Sequence, residues 1–175
     1  ISSSSTRPPN SSPTPDASVD PNQWGSGEIQ IEKVELVVDG EPTTTVLSGV
    51  DVELRYTARA SAPVEDPVFG LAIKTPDGIV CFGTNTDLEG QPTGHFDGAR
   101  AVSVKIPDLP LHEGRYVIHA SAVSSDLAHV YHWLENQWEF SVIPAQSGVG
   151  LTRMRFQWTF GDGARDEPNV TTAGR

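Results

Sequence analysis

The sequence predicts an all-β protein built as an antiparallel β-sandwich. The clearest observation is the alternation of apolar and polar residues from Val50 to Ala60, a period of two that is typical of a strand with one buried face. A second is the sequence Thr75-Pro76-Asp77-Gly78 between two apolar runs, because Asp-Gly readily takes the positive φ angles of a tight hairpin turn. About eight short strands separated by such turn residues are typical of a sandwich.

The predicted strands follow one another through the middle of the chain. They are residues 34–38, 50–60, 68–74, 79–82, 101–106, 115–123, 137–143 and 151–158. In the second of these, Val52, Leu54 and Tyr56 are expected to point into the core. The aromatic residues that alternate with polar neighbours in the last two strands are also expected in the core; they are Trp138, Phe140, Phe156 and Trp158. No long helix is predicted, and residues 126–134 are expected to form a turn or a loop.

The two ends of the chain differ in composition from the middle. Residues 1–22 are almost wholly Ser, Thr, Pro, Asn and Asp, which is typical of a disordered linker because such residues cannot bury enough apolar surface to fold. Residues 161–175 are rich in Gly and charge and are expected to be a flexible tail. The folded domain is therefore predicted to span residues 23–160.

Charge and cysteine content exclude several classes of protein. The 175 residues include 12 basic and 23 acidic side chains, and the net charge of −11 argues against a surface for nucleic acid or anionic membranes. Because Cys81 is the single cysteine, neither an internal disulfide nor a zinc site made of cysteines is expected. No apolar run approaches the roughly 18 residues that span a bilayer.

Catalytic motifs are also missing from the sequence. A P-loop needs a Gly-Lys pair to cradle and neutralise phosphates, and no such pair occurs. The Gly-x-Ser-x-Gly motif of serine hydrolases is absent too. Asp126, His129 and His132 have a spacing that suits a metal on one helical turn, but no further ligand stands near them. Glu65 and Asp66 are compatible with a glycosidase pair, although loop carboxylates are common in so acidic a chain. No enzyme activity and no cofactor are predicted.

Two stretches of the sequence resemble a known family. They are VFGLAIKTPDGIVCFGTNT, from Val68 to Thr86, and LPLHEGRYVIHASAV, from Leu109 to Val123. Both are similar to the C-terminal domain of Wzt, the ATPase subunit of ABC transporters that export bacterial O-antigen polysaccharides. The likeness runs from about Gly27 to Trp158, and residues 148–158 resemble the family's last strand.

The resemblance implies an immunoglobulin-like sandwich that binds the exported glycan, often at a modified non-reducing end, and pairs as a homodimer. It also implies an ATPase domain before Ile1, through which the domain would meet the transporter's membrane subunit. The location expected from it is the cytoplasm, at the periphery of the bacterial inner membrane. No nucleic acid is expected as a partner. A dimer in which residues 148–158 exchange between protomers is a further expectation.

The candidate sugar-binding residues follow from the faces of the predicted strands rather than from a family motif. Small and polar residues share one face of two strands, where they would form a shallow floor. Consecutive aromatic and imidazole rings beyond them would supply a wall, because sugars lay their C–H faces against rings while their hydroxyls meet polar groups. The predicted carbohydrate-binding residues are Arg59, Lys74, His119, Ser121, Tyr131, His132 and Trp133.

Two functions of different classes stay open on the sequence alone. One is a non-catalytic glycan-binding module of a polysaccharide exporter. The other is an assembly domain whose exposed strands mediate dimerisation or docking without direct sugar binding. The small residues of the predicted floor are also compatible with a face that merely lies beneath a covering loop.

Overall fold

A computed structural model describes residues 20–145, 148–155 and 157–158. The described residues form strands and connecting turns, and no helix occurs among them. The strands are β1 (Gln23–Trp24), β2 (Ile29–Val38), β3 (Glu41–Thr43), β4 (Thr45–Leu47), β5 (Val52–Ala60), β6 (Val64–Glu65), β7 (Val68–Lys74), β8 (Val80–Asn85), β9 (His95–Phe96), β10 (Ala99–Ile106), β11 (Gly114–Val123) and β12 (Val130–Ile143).

Two sheets pack face to face. The larger, which we call the large sheet, has six strands in the order β1-β12-β11-β7-β8, with β4 added in parallel beside the end of β12. The small sheet has four strands in the order β10-β5-β2-β3. The short strands β6 and β9 form a separate pair. This all-strand, mainly antiparallel architecture confirms the predicted fold class.

The core lies between the inner faces of the two sheets. Alternate residues of β5 point into it, and Leu54 and Tyr56 are almost completely buried, as the alternation predicts. From the large sheet, Phe69 packs against Tyr56 with ring centroids 6.1 Å apart and against Phe96 at 5.0 Å. Tyr116 and Phe140, also of the large sheet, stack with ring centroids 5.6 Å apart. Aromatic pairs of this kind bury large apolar areas and account for much of the packing between the sheets.

The predicted hairpin is confirmed. Residues 75–78 connect β7 to β8, and the Gly78 backbone N–H donates to the carbonyl oxygen of Thr75 at 2.9 Å. Gly78 has a φ of +92°, a conformation that a residue with a Cβ adopts only with strain. The Thr75 hydroxyl accepts a further hydrogen bond from the Ile79 N–H at 2.9 Å, which fixes the exit of the turn.

Three sequence predictions about the second half of the chain are wrong. Residues 130–134, expected in a turn or a loop, are the first part of the 14-residue strand β12. Residues 151–155, expected in a strand, make only an isolated bridge between Thr152 and Leu111. Trp158, expected in the core, is 76% exposed, and Phe156 lies outside the described residues. The edge beside the end of β12 is occupied by β4, so residues 151–155 do not extend the large sheet there.

The start of the described chain lies against β12. The Asn22 carbonyl oxygen accepts from the Glu135 N–H at 2.7 Å, and the Gln137 side chain donates to the Asp20 carboxylate at 2.6 Å. The predicted linker extends to residue 22, so its last residues contact the sandwich, while residues 1–19 lie outside the described part. The predicted tail from residue 161 also lies outside it.

His132 joins the two sheets. Its ring points inward from β12, and Nδ1 accepts a hydrogen bond of 2.7 Å from the Ile31 N–H of β2. The side-chain amide nitrogen of Gln23 lies 2.9 Å from Nε2. Because Nδ1 accepts, the neutral ring carries its proton on Nε2, and a half-turn rotation of the Gln23 amide places its oxygen to accept that proton. Burial lowers the pKa of His132, which favours this neutral form.

We expect the folding stability to fall as the pH drops below about 6.5, the ordinary histidine value. The lowered pKa of His132 means that the unfolded chain takes up a proton before the folded one does. The stabilisation is therefore complete above that ordinary value and is lost as the pH falls towards the lowered pKa. His119, whose pKa is also lowered, acts in the same direction. The measurement is urea unfolding between pH 7.5 and 5.

His132→Asn is the matched variant, because its side-chain oxygen can accept from the Ile31 N–H and does not titrate. It should flatten the pH dependence in this range, and an unchanged slope would contradict the assignment. His132→Ala should lower the free energy of unfolding at neutral pH by about 1–3 kcal/mol, since it leaves a buried N–H without a partner.

Two truncations test where the folded domain begins. Deleting residues 1–19 should leave the Tm within about one degree, because their Ser- and Pro-rich composition predicts a segment that buries little apolar surface. Deleting residues 1–24 should lower the Tm by several degrees, because it removes β1 with the Gln23 contact to His132. Equal Tm values for both truncated proteins, measured by calorimetry, would show that β1 does not stabilise the sandwich.

Candidate functional site

The outer face of the large sheet carries one row of residues that crosses five strands. The register pairs Trp24 with Trp133, Trp133 with Ser121, Ser121 with Gly70, and Gly70 with Asn85. Residues paired in this way project from the same face of a sheet. The row therefore runs from two indoles through small residues to an amide.

Gly70 is the position in this row where a side chain would displace the Ser121 hydroxyl. A Cβ there would lie 2.5 Å from the Ser121 Oγ, closer than two unbonded atoms can approach. The glycine therefore lets the serine hydroxyl lie across β7. A Cβ at Gly83 would meet Ala72 at an ordinary 3.6 Å.

The second row of this face is shaped by a bulge in β12. Ala120 pairs with Leu134 and Ile118 with Trp138, so four residues of β12 span the distance that two residues of β11 span. The extra residues lie opposite His119, and Asn136 among them has a φ of +51°. The bulge places the Glu135 carboxylate over the end of the sheet that holds His119 and Lys74.

Glu135 is the centre of a small polar cluster. Its Oε1 accepts a hydrogen bond of 3.1 Å from the Trp133 Nε1–H. The same oxygen lies 3.8 Å from the Lys74 Nζ and 3.7 Å from the His119 Nδ1. The carboxylate thereby fixes the orientation of the Trp133 indole and balances the charge of Lys74.

His119 is buried, with 5% of its surface exposed, and neither ring nitrogen has a hydrogen-bond partner. Within the described part of the chain these are the buried side-chain nitrogen and oxygen atoms without one. Burial lowers the pKa of His119, and the charge of Lys74 lowers it further, against the opposing effect of Glu135. The ring is therefore neutral near pH 7 and keeps one unused donor and one unused acceptor.

Two indoles form an aromatic wall at one side of this face. Trp24 and Trp133 stack with ring centroids 5.6 Å apart and an angle of 19° between their planes. Trp24 is 46% exposed, so part of the wall is open to solvent. The wall is held by the β1–β12 pairing on one side and by the hydrogen bond to Glu135 on the other.

A groove of about 310 Å³ lies beside the wall. Its floor is the row of small residues, Leu127 and Val130 stand at one end, and Asn85 borders the side at β8. The Asn85 side-chain oxygen accepts from the Leu88 N–H at 2.7 Å, so this residue ties the end of β8 to the following loop. The arrangement combines a flat aromatic surface with polar groups on a rigid sheet, which suits a ligand with both C–H faces and hydroxyls.

The structure brings together four of the sequence-predicted site residues. Lys74, His119, Ser121 and Trp133 lie on the outer face of the large sheet, around the groove or at its rim. Tyr131 does not line the groove, and its ring meets that of His129 edge to face at 5.2 Å.

Arg59 and His132 lie elsewhere. Arg59 points outward as predicted, but from β5 in the small sheet, where it pairs with Glu32 at 2.6 Å. Alternation alone indicates the direction of a side chain and not which sheet its strand joins, so the outward side here is the opposite face of the molecule. His132 points inward between two outward rings and serves the sheet contact described above.

Sequence reasoning missed Trp24 and Glu135. Trp24 follows the predicted linker and belongs to a strand of two residues, too short to show a pattern. Glu135 stands two positions after Trp133 and therefore on the same face of the strand. Identifying residues 130–143 as one strand would have placed it in the site.

The other chemistry considered for the sequence is not assembled in the described ranges. No group of three His, Cys, Asp or Glu side chains there could hold a metal ion. Glu65 pairs with His95 at 2.6 Å, and Asp66 accepts hydrogen bonds from the backbone of Thr93 and Gly94. The Glu65 carboxylate therefore links β6 to β9, and the Asp66 carboxylate fixes the backbone just before β9. A search of the same residues for a helix able to cross a membrane finds none.

Comparison with known proteins identifies the fold and the family. The crystal structure of the C-terminal domain of Wzt is similar, with a TM-score of 0.71 and 16% sequence identity over 79% of this chain and 87% of that one. The alkylpurine DNA glycosylase AlkC from Pseudomonas fluorescens, bound to DNA with an abasic site analogue, has a TM-score of 0.42 at 15% identity over 67% of this chain and 31% of its own. The CARDB domain of a Pyrococcus furiosus protein in complex with di-metal ions has a TM-score of 0.40 at 14% identity over 66% and 94%.

The last two scores are too low to bear on this chain. No curated protein gives a significant match to the sequence. The model of the family described as the Wzt C-terminal domain matches residues 20–154, which is most of the chain. The chain therefore belongs to the Wzt C-terminal domain family, as its sequence motifs and its sandwich fold indicate.

Proposed function

We propose that this domain binds O-antigen polysaccharide through the outer face of its large sheet and carries out no reaction on it. The observation that supports the proposal most directly is the stacked pair of Trp24 and Trp133 beside a groove floored by small residues. Membership of the Wzt C-terminal domain family supports a role in the O-antigen ABC transporter. The proposal adds the sugar and the place where it binds.

The physical basis of the binding is the combination of a ring surface with fixed polar groups. A pyranose can lay its C–H face on an indole, while its hydroxyls exchange hydrogen bonds with the groups on the sheet. Ser121, Glu135 and His119 offer donors and acceptors within one cluster. Because all three are on strands of one sheet, their spacing is set by the strand register, and little ordering entropy is lost on binding.

In the transporter, the proposed role is to hold the polysaccharide ready for export. The ATPase domain that the family implies before Ile1 would connect this domain to the membrane subunit at the cytoplasmic face of the inner membrane. Residues 1–22 would then be the linker between the two domains.

Trp24→Ala, Trp133→Ala and His119→Ala should each weaken the binding of the cognate O-polysaccharide. For a stacked indole, the expected loss is about 1–3 kcal/mol of binding free energy, the range found for well-packed aromatic anchors. Isothermal titration calorimetry with the purified polysaccharide measures it. The Tm of each variant should be recorded, because a large drop at Trp133 would indicate that the ring serves mainly to cover the sheet.

Trp158→Ala is the matched control. Trp158 is 76% exposed and does not line the groove, so its removal should leave the affinity unchanged. Wild-type affinity in all three groove variants, with normal Tm values, would refute the proposed site.

A second candidate function, assembly into a dimer, is favoured by a different surface. β8 is an edge of the large sheet, and the apolar residues at its start are exposed: Ile79 by 50%, Val80 by 59% and Phe82 by 39%. An uncovered apolar edge strand tends to pair with another chain. The occupant we propose is β8 of a second copy, which would extend the sheet across the two protomers.

Val80→Lys should convert such a dimer to a monomer, because two facing lysines at the seam repel each other. The measurement is light scattering at high protein concentration, where a monomer has a mass of 18.8 kDa. Leu88→Lys is the control and should leave the mass unchanged. Leu88 is 73% exposed but lies after the end of β8. A wild-type mass of 18.8 kDa would contradict the dimer itself.

A further inference from the structure

One charged pair stands beside the groove. Lys74 is at its rim and is matched by Glu135 at 3.8 Å. The lining itself, as far as the chain is described, contains no lysine, arginine, aspartate or glutamate. The whole chain adds a net charge of −11. An anionic ligand would therefore enter a repulsive field and find its nearest cation already paired.

A second observation indicates that the groove is built for a ligand with hydroxyl groups. The ring of His119 lines it, is 5% exposed, and has two nitrogens without partners. Leaving buried polar atoms unpaired is costly, so such atoms call for a partner that the protein itself does not supply. The neutral imidazole offers one donor and one acceptor. A hydroxyl can hydrogen-bond to either nitrogen, because it both donates and accepts.

Glu135 has an oxygen available for the same ligand. Its described side-chain contacts, to Trp133, Lys74 and His119, all involve Oε1. Oε2 therefore remains to accept hydrogen bonds, and about a third of the side chain is exposed. A carboxylate accepts from hydroxyls strongly and repels another carboxylate or a phosphate at the same distance.

We propose that the groove selects an uncharged sugar unit and that Glu135 is the residue that sets this specificity, by accepting hydrogen bonds from adjacent hydroxyls. This inference rests on the proposed function, and it adds the class of sugar. An O-antigen unit with a carboxylate or a phosphate at the bound position would be rejected. The stacked indoles contact the sugar ring whether or not the sugar is charged. Glu135 discriminates between neutral and anionic sugars.

The test uses the full 175-residue chain and polysaccharides in matched pairs. An array of bacterial O-polysaccharides should contain neutral polymers, uronic-acid polymers and the carboxyl-reduced form of each acidic polymer, in which the carboxylate has become a CH₂OH group. We expect binding to neutral and carboxyl-reduced polymers, and binding at least tenfold weaker to the acidic parents. Affinity for the neutral ligand should change little between low and high salt, because no charge pairs form.

Glu135→Gln keeps the size of the side chain and an oxygen that can accept from Trp133. The substitution should weaken binding of the neutral polymer about tenfold, as expected for the loss of a hydrogen bond to a charged group. It should also reduce the ratio of the affinity for the neutral polymer to the affinity for the acidic one. Glu139→Gln is the control, and it should change neither affinity. Glu139 is on the same strand but pairs with Arg115 at 4.0 Å, whereas Glu135 contacts the groove residues Trp133 and His119.

The outcomes separate the two proposals. Tighter binding of the acidic parents, or a Glu135→Gln variant with wild-type affinity and preference, would overturn the inference and leave glycan binding intact. An array without any bound polymer, or binding that survives both Trp24→Ala and Trp133→Ala, would overturn the proposed function and this inference with it.

Discussion

The bulge in β12 opposite His119 is the feature on which the outer face of the large sheet depends. Two extra residues enter the strand there, so the alternation of inward and outward side chains is the same before and after the bulge. Leu134 and Phe140 can therefore both be buried, while Trp133 points outward. The same insertion leaves His119 without a paired residue on β12 and turns Glu135 towards it. One local irregularity thus maintains the core and creates the polar cluster.

Much of the fold could be predicted from the sequence where one strand carried its own pattern. Val52 to Ala60 alternates without interruption, and the Pro-Asp-Gly turn after Lys74 specifies its own geometry. β12 was predicted only in its second half because the bulge interrupts its pattern. The failure at residues 151–158 has the opposite cause: the alternation is present, but pairing depends on a free edge elsewhere in the molecule.

The candidate site shows the same division between local and long-range information. Lys74, His119 and Ser121 could be assigned to one face by taking every second residue along β7 and β11, although both strands are largely buried on both faces. Arg59 was grouped with them because the sequence does not say that β5 joins the other sheet. The partnership of Trp24 with Trp133 links residues more than a hundred positions apart through a two-residue strand. No property of either residue's neighbours contains that information.

The two outer faces of the sandwich differ in a way that bears on function. On the small sheet, charged residues pair with their neighbours: Lys33 with Glu35, Arg55 with Glu53, and Arg59 with Glu32. Exposed pairs of this kind add at most about 1 kcal/mol each, so their main effect is to keep that face hydrated. The large sheet instead presents indoles, small residues and a buried histidine without partners. The outer face that carries the cost of unpaired polar atoms is therefore the one on which we propose that the polysaccharide binds.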